Sequence, residues 1–160
     1  MTQTVASWMT RDVLTVSPTM PLAEAVQLLV DRKISGLPVV NDAGKLVGVL
    51  SESDLMWREK GLDEPPYMIF LGGVIFFQNP ATFDRNLHKT LGQTVGEVMT
   101  PHVISIDADT TLPEAARIMH DKKIHRLPVV DKNRHPIGII TQSDIVRAIA
   151  TDRLTTVASM

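Results

Sequence analysis

The sequence predicts an α/β (α+β) fold in which one β-α-β-β-α unit is used twice. Three observations carry this. The octet Lys33-Ile34-Ser35-Gly36-Leu37-Pro38-Val39-Val40 returns as Lys123-Ile124-His125-Arg126-Leu127-Pro128-Val129-Val130. The same offset of 90 relates Met9-Thr10 to Met99-Thr100, Leu22 and Glu24-Ala25 to Leu112 and Glu114-Ala115, Gly48 to Gly138, and Ser53-Asp54 to Ser143-Asp144, so the repeated unit is about 50 residues long. Within it the apolar residues switch between short β-favouring runs and helical spacing. The 160-residue chain, with 44% apolar and 21% charged residues, has the composition of a folded protein, and units this small are not expected to stand alone.

In the first copy, Val13-Leu14-Thr15-Val16 reads as a short strand that ends at Ser17-Pro18. Leu22, Ala25, Val26 and Leu29 then recur at helical spacing, predicting an amphipathic helix that ends near residues 31–33. Leu37-Pro38-Val39-Val40 is a buried strand whose proline must sit at its start or at an irregular position. Asn41-Asp42-Ala43-Gly44 supplies a turn and residues 45–50 the partner strand. Ser51-Glu52-Ser53-Asp54 opens a second helix with Leu55, Met56 and Trp57 available to its apolar side. Ser51 and Asp54 stand at capping-box spacing.

The joining segment, residues 59–97, is too long for a plain loop. Two apolar runs, residues 67–71 and 74–77, flank Gly72-Gly73 and must be buried, in the monomer's own core, in a dimer interface or against a partner protein. Residues 81–91 read as a modest helix with His88 and Lys89 on a solvated face. The second copy repeats the pattern: strand Val103-Ile104-Ser105-Ile106, helix from Leu112, strands at 127–130 and 137–140, and a helix over 143–149. Thr111 and Glu114 form a capping box with Pro113 in the first turn. Residues 151–160 read as a polar tail. The chain thus divides into a first unit (1–58), an insert (59–97) and a second unit (98–160).

The net charge of −2 argues against a dedicated nucleic-acid binder. There is no cysteine, hence no disulfide, thiolate zinc site or cysteine nucleophile. The start of the chain lacks the basic and apolar stretches of a signal peptide, and the longest strongly apolar run, residues 67–77, falls short of the about 20 residues that span a bilayer. A cytoplasmic protein without membrane association is expected. No HExxH, phosphate-loop, GxGxxG or nucleophile-elbow pattern occurs, and the five histidines lack metal-ligand spacing. The chain is therefore expected not to be an enzyme and to hold neither a metal nor a catalytic cofactor.

A binding site has better support. His125-Arg126 lies beside Lys122 and Lys123, and this basic cluster suits phosphate oxygens, or alternatively the carbonyls at the end of the preceding helix. Asp144, in Thr141-Gln142-Ser143-Asp144, is either a capping carboxylate or an acceptor for a ligand diol.

At this point the motifs carry a name. Both copies resemble cystathionine β-synthase (CBS) domains, and together they resemble a Bateman module. The opening Met-Thr, the LxEA helix, the (G/R)LPVV strand and the G(V/I)(L/I)(S/T)xSD segment occur in that order twice. The resemblance implies two units packed about a pseudo-twofold axis with clefts between them. It also implies an adenosine-containing ligand (AMP, ADP, ATP or S-adenosylmethionine) sensed on behalf of an effector protein. Carried onto this chain, Asp144 would bind ribose hydroxyls, with Thr141 and Ser143 near ribose or phosphate. His125 and Arg126 would meet phosphates, and backbone around Val103, Ile104, Ile106 and Leu127-Pro128 would frame adenine. In the first copy the corresponding positions are Asp54, Ser51, Ser53, Val16 and Leu37-Pro38. Ser35-Gly36 stands there in place of His125-Arg126, so the second site is expected to be the better phosphate binder. The insert resembles the linker of stand-alone bacterial CBS pairs and implies a homodimer. The alternative is a structural or protein-interaction module with vestigial clefts.

Overall fold

Both copies of the octet begin at the residue that caps the end of a helix and finish in a strand. The computed structural model describes residues 3–55, 67–70, 73–76 and 94–158. Its elements are a short 3-10 turn (Val5–Ser7), α1 (Leu22–Arg32), β1 (Gly36–Val40), β2 (Leu46–Ser51), α2 (Glu52–Leu55), β3 (Tyr67–Phe70), β4 (Gly73–Phe76), α3 (Val95–Val98), β5 (Thr100–Pro101), α4 (Leu112–Lys122), β6 (Arg126–Val130), β7 (Pro136–Thr141) and α5 (Gln142–Ala158). Mixed helix and strand is the class the repeat predicts.

Helices α1 and α4 form where the apolar spacing places them. Leu22, Ala25 and Leu29 are buried on one, Leu112, Ala115 and Met119 on the other, a single stripe at helical period. Thr111 caps α4, its Oγ accepting from the Glu114 N–H at 3.4 Å with Pro113 in the first turn, whereas Pro21 before α1 has no side chain that can cap. Both helices stop on a lysine in the left-handed conformation, Lys33 (φ 52°) and Lys123 (φ 55°), which turns the chain into the following strand.

The strands differ from expectation in one respect. Residues 13–16 and 103–106 do not form strands; each segment makes one parallel bridge, Val16 to Val39 and Ile106 to Val129. The cause is the proline of the octet. Val16 N–H donates to the Pro38 carbonyl and accepts at its own carbonyl from Val40 N–H, and Ile106 does the same with Pro128 and Val130, at 2.9–3.0 Å. The next parallel bond would need an N–H on Pro38 or Pro128, which proline lacks, so the ladder stops after one rung. Both prolines accordingly sit, fully buried, inside their strands instead of at the start.

Contacts divide the chain into two compact units. One comprises Met1–Val13, Gly44–Leu46 and Ile104–Met160, the other Leu14–Ala43 and Val47–Val103. In the first of these, β6 pairs antiparallel with β7, and Thr10 bridges Ile139 through bonds of 2.9 and 3.0 Å. Val5 N–H reaches the Thr110 carbonyl at 2.8 Å, and Val5, Met9, Leu112, Met119, Leu127, Val129 and Ile140 share one core. In the other unit β5 pairs with β2, Thr100 opposite Val49, and Val95 N–H reaches the Met20 carbonyl at 2.9 Å. Its core gathers Val16, Leu22, Leu29, Leu37, Val39, Leu50, Leu55 and Val95. The bonds Val5–Thr110 and Thr10–Ile139 of one unit have counterparts 90 residues away in the other, Val95–Met20 and Thr100–Val49. Each copy's Met-Thr segment thus packs in the unit that holds the other copy's hairpin.

Residues 151–158, expected as a polar tail, continue α5 instead. They contain neither glycine nor proline, and the Thr151 hydroxyl bonds back to the Arg147 carbonyl at 2.9 Å, so nothing in the chain breaks the ladder. In the insert, β3 and β4 pair antiparallel with Tyr67 opposite Phe76 and Phe70 opposite Gly73. The burial expected for their side chains, the helix expected over 81–91, and Met56 and Trp57 lie outside the described residues.

The turn between β6 and β7 carries a pH signature. The Asp131 carboxylate accepts from the His135 backbone N–H at 2.9 Å, from that of Asn133 at 2.8 Å and from the His135 ring at 3.2 Å. These bonds, the His135 backbone one foremost, hold its pKa below the ordinary value against a smaller opposing effect of burial. A depressed carboxylate contributes stability that is complete above its unfolded value of about 3.9 and is lost as pH falls through the folded value. The expected result is a thermal midpoint that drops below about pH 4 more in the wild type than in Asp131→Asn; parallel acid profiles would refute it.

Candidate functional site

The start of α5 gathers the residues that the sequence singles out. Asp144 is 3% exposed, the buried charged side chain among the described residues. Its Oδ2 accepts from the Thr141 backbone N–H at 2.9 Å and from the Thr141 hydroxyl at 3.0 Å, while the Asp144 N–H points back to that hydroxyl at 3.4 Å. This reciprocal cap joins the last residue of β7 to the first turn of α5. Its Oδ1 takes the Arg147 guanidinium.

The neighbouring strand end supplies the rest. Arg126 stands opposite Thr141 in the antiparallel register, and the His125 carbonyl accepts from Gln142 N–H at 3.0 Å. His125, Arg126, Thr141 and Asp144 therefore meet at one end of the β6–β7 hairpin, with His125 and Ser143 exposed and Arg126 half-buried. Lys122 and Lys123, which end α4 two residues before His125, are exposed. The site thus offers an anchored carboxylate beside basic groups, a combination suited to a molecule carrying both hydroxyls and negative charge.

The other predicted positions behave differently. Leu127, Pro128 and Ile106 are buried in the core, as are Leu37, Pro38 and Val16, so at these positions only main chain can face a ligand. Val103 is half-buried and Ile104 exposed at 37%. In the first copy, Asp54 Oδ2 accepts from the Ser51 N–H at 2.8 Å and hydroxyl at 3.2 Å, and the Ser35 carbonyl accepts from Glu52 N–H at 3.1 Å. Asp54 Oδ1 accepts from the Thr100 hydroxyl at 2.7 Å. Ser53 is exposed.

Two participants escape the sequence reading. Thr100 and Arg147 each take the Oδ1 of an aspartate. Arg147 was detectable as a cation three residues along a helix from Asp144. Thr100 carried only the signal of belonging to the repeated Met-Thr pair. Among the described residues there is no cluster of three or more potential metal ligands and no helix long and apolar enough to cross a membrane.

The description "CBS domain" fits the chain over residues 5–60 and again over 95–151. The chain belongs to the CBS domain family. As a CBS pair it is 36% identical over 149 residues to the chloroplastic CBS domain-containing protein CBSX1 of Arabidopsis thaliana, a match that takes in 91% of this chain and 63% of the relative. It therefore spans less than two thirds of that relative's length. The crystal structure of CBSX2 from Arabidopsis thaliana superposes on the CBS pair with a TM-score of 0.76 at 32% identity, covering 96% of this chain and 98% of the other. CBSX2 solved in complex with AMP gives a TM-score of 0.69 at 34% identity, with 94% and 98% covered.

Proposed function

We propose that this CBS pair is a regulatory module that binds an adenosine-containing ligand and reports it to an effector protein. The observation that carries the reading is the Asp144 carboxylate, buried, fixed by Thr141 and set at the strand end where His125 and Arg126 emerge. In this reading Asp144 accepts the ribose hydroxyls, Thr141 and Ser143 lie near ribose or phosphate, and His125 and Arg126 neutralise phosphate. The AMP complex of CBSX2 supports an adenine nucleotide as the ligand class. The first copy keeps the carboxylate, Asp54, with Ser51 and Ser53, but offers Ser35-Gly36 where the phosphate cluster would be. It is the weaker phosphate site.

Calorimetry with AMP, ADP, ATP and S-adenosylmethionine tests this. The expected result is saturable binding of at least one of them, with affinity for the phosphorylated ligands reduced in Arg126→Ala. Absence of binding by all four at millimolar concentration would overturn the reading. That outcome would favour a module working through protein contacts alone, a reading to which Val146 and Ile149, 65% and 52% exposed on α5, give some footing.

A further inference from the structure

We propose that Arg147 is an internal competitor for the diol at Asp144, and so sets how tightly the second-copy site holds a ribose. The inference rests on the ribose reading above and adds a residue to it. The two aspartates are matched at Oδ2, where each accepts the backbone N–H and the hydroxyl of the residue three positions earlier, Ser51 or Thr141. They part at Oδ1. Asp54 Oδ1 meets a neutral hydroxyl, that of Thr100, at 2.7 Å, whereas Asp144 Oδ1 meets the Arg147 guanidinium. The difference does not come from the threonine, which the repeat keeps as Thr10. It comes from the arginine, whose place in the first copy is taken by Trp57, a residue without a cation.

A carboxylate oxygen offers two lone pairs. Both of those on Asp144 Oδ2 are engaged by Thr141, so a vicinal diol must find its acceptors on Oδ1, where Arg147 already holds one. Two hydroxyls cannot both be accommodated while the guanidinium stays. Burial explains why a cation is kept there without ligand: the Asp144 side chain is 5% exposed, and a bare carboxylate in that setting is costly. Exposure explains why the cation can leave. Arg147 is 70% exposed, so its guanidinium regains water on release, and the incoming hydroxyls replace its hydrogen bond to the buried carboxylate. The arginine covers the carboxylate in the free protein and yields it to the ligand.

The test uses adenosine, which carries the diol and no phosphate, and 2′-deoxyadenosine, which lacks the diol. Titration of the full chain is expected to show Arg147→Met binding adenosine about three- to tenfold more tightly than wild type, the range an exposed charge-assisted contact supports. The affinity for 2′-deoxyadenosine is expected to stay unchanged. Arg147→Gln should behave alike, so that the result does not hang on one replacement. Nitrogen-detected NMR should show slow rotation of the Arg147 guanidinium in the free protein and its release on saturation with adenosine. Unchanged or weaker adenosine binding in both variants, an equal gain for the deoxy ligand, or a guanidinium still held at saturation would each overturn the competitor role while leaving ribose recognition standing. Failure of wild type and variants alike to bind adenosine and AMP would remove the ribose reading itself, and the competitor with it.

Discussion

Replacing Gly48 by alanine is expected to lower the stability of the chain by about 2 kcal/mol, more than the same change at Gly138, even though the two glycines are copies of one repeat position. A Cβ on Gly48 would lie 2.6 Å from the Met99 sulfur and 2.9 Å from the Thr100 carbonyl oxygen. On Gly138 it would lie 2.5 Å from the Met9 sulfur but 3.1 Å from the Thr10 carbonyl oxygen. A methionine end is flexible and can swing away. A carbonyl of β5 can retreat only by pulling Thr100 off Val49. Measured in a Met9→Ala background, which carries its own cost in core packing, Gly138→Ala should therefore add little further loss, whereas in a Met99→Ala background Gly48→Ala should still add part of its loss. Urea unfolding of the single and double variants measures this; equal losses at the two glycines, or no added loss for Gly48→Ala in the Met99→Ala background, would show that the main-chain approach is not what fixes the position. The change also reaches the site. Displacing Thr100 takes its hydroxyl off Asp54 Oδ1, the oxygen that the cap from Ser51 leaves over.

These glycines mark where the sequence was readable and where it was not. Helices α1 and α4 and the hairpin strands were legible because burial imposes a period on the side chains, and a period survives in a linear string. The octet's proline was legible as an anomaly, yet its consequence depended on which neighbour it faced. Only the geometry shows that Pro38 and Pro128 cut short the pairing of residues 13–16 and 103–106. The opening Met-Thr segments were plain as repeats, but a repeat cannot say which copy of a hairpin a segment joins when both copies present the same edge. The extension of α5 was missed because a polar helix end and a polar tail look alike in composition. At the site, Asp144 with Thr141 and Asp54 with Ser51 were legible through capping spacing, a local relation. Thr100 was not, since it lies 46 positions from the carboxylate it bonds.

Removal of the Asp144 carboxylate is expected to separate ligand recognition from capping. Asp144→Ala deletes the acceptor for the Thr141 N–H and hydroxyl and the partner of Arg147, and should cost about 1–2 kcal/mol of stability, the scale of a lost helix cap. It should also weaken AMP binding at least about thirtyfold, because two hydroxyl contacts to an ionised group are lost together. Asp144→Asn distinguishes the two effects. The amide oxygen can still accept from Thr141, so much of the stability should return, but the group is neutral and its nitrogen donates where a diol needs an acceptor. Affinity should remain low. Wild-type AMP affinity in Asp144→Asn would mean that the charge serves the helix and not the ligand. Asp54→Ala supplies the contrast: its carboxylate holds Thr100 of β5 as well as Ser51, so its loss should cost more in folding than Asp144→Ala. Its effect on phosphorylated ligands should be smaller, since Ser35-Gly36 gives that copy no cation to meet them. The balance between structural and recognition duties thus differs between two aspartates that the repeat places at equivalent positions, and the groups that tip it, Thr100 and Arg147, both act on the oxygen the cap leaves over.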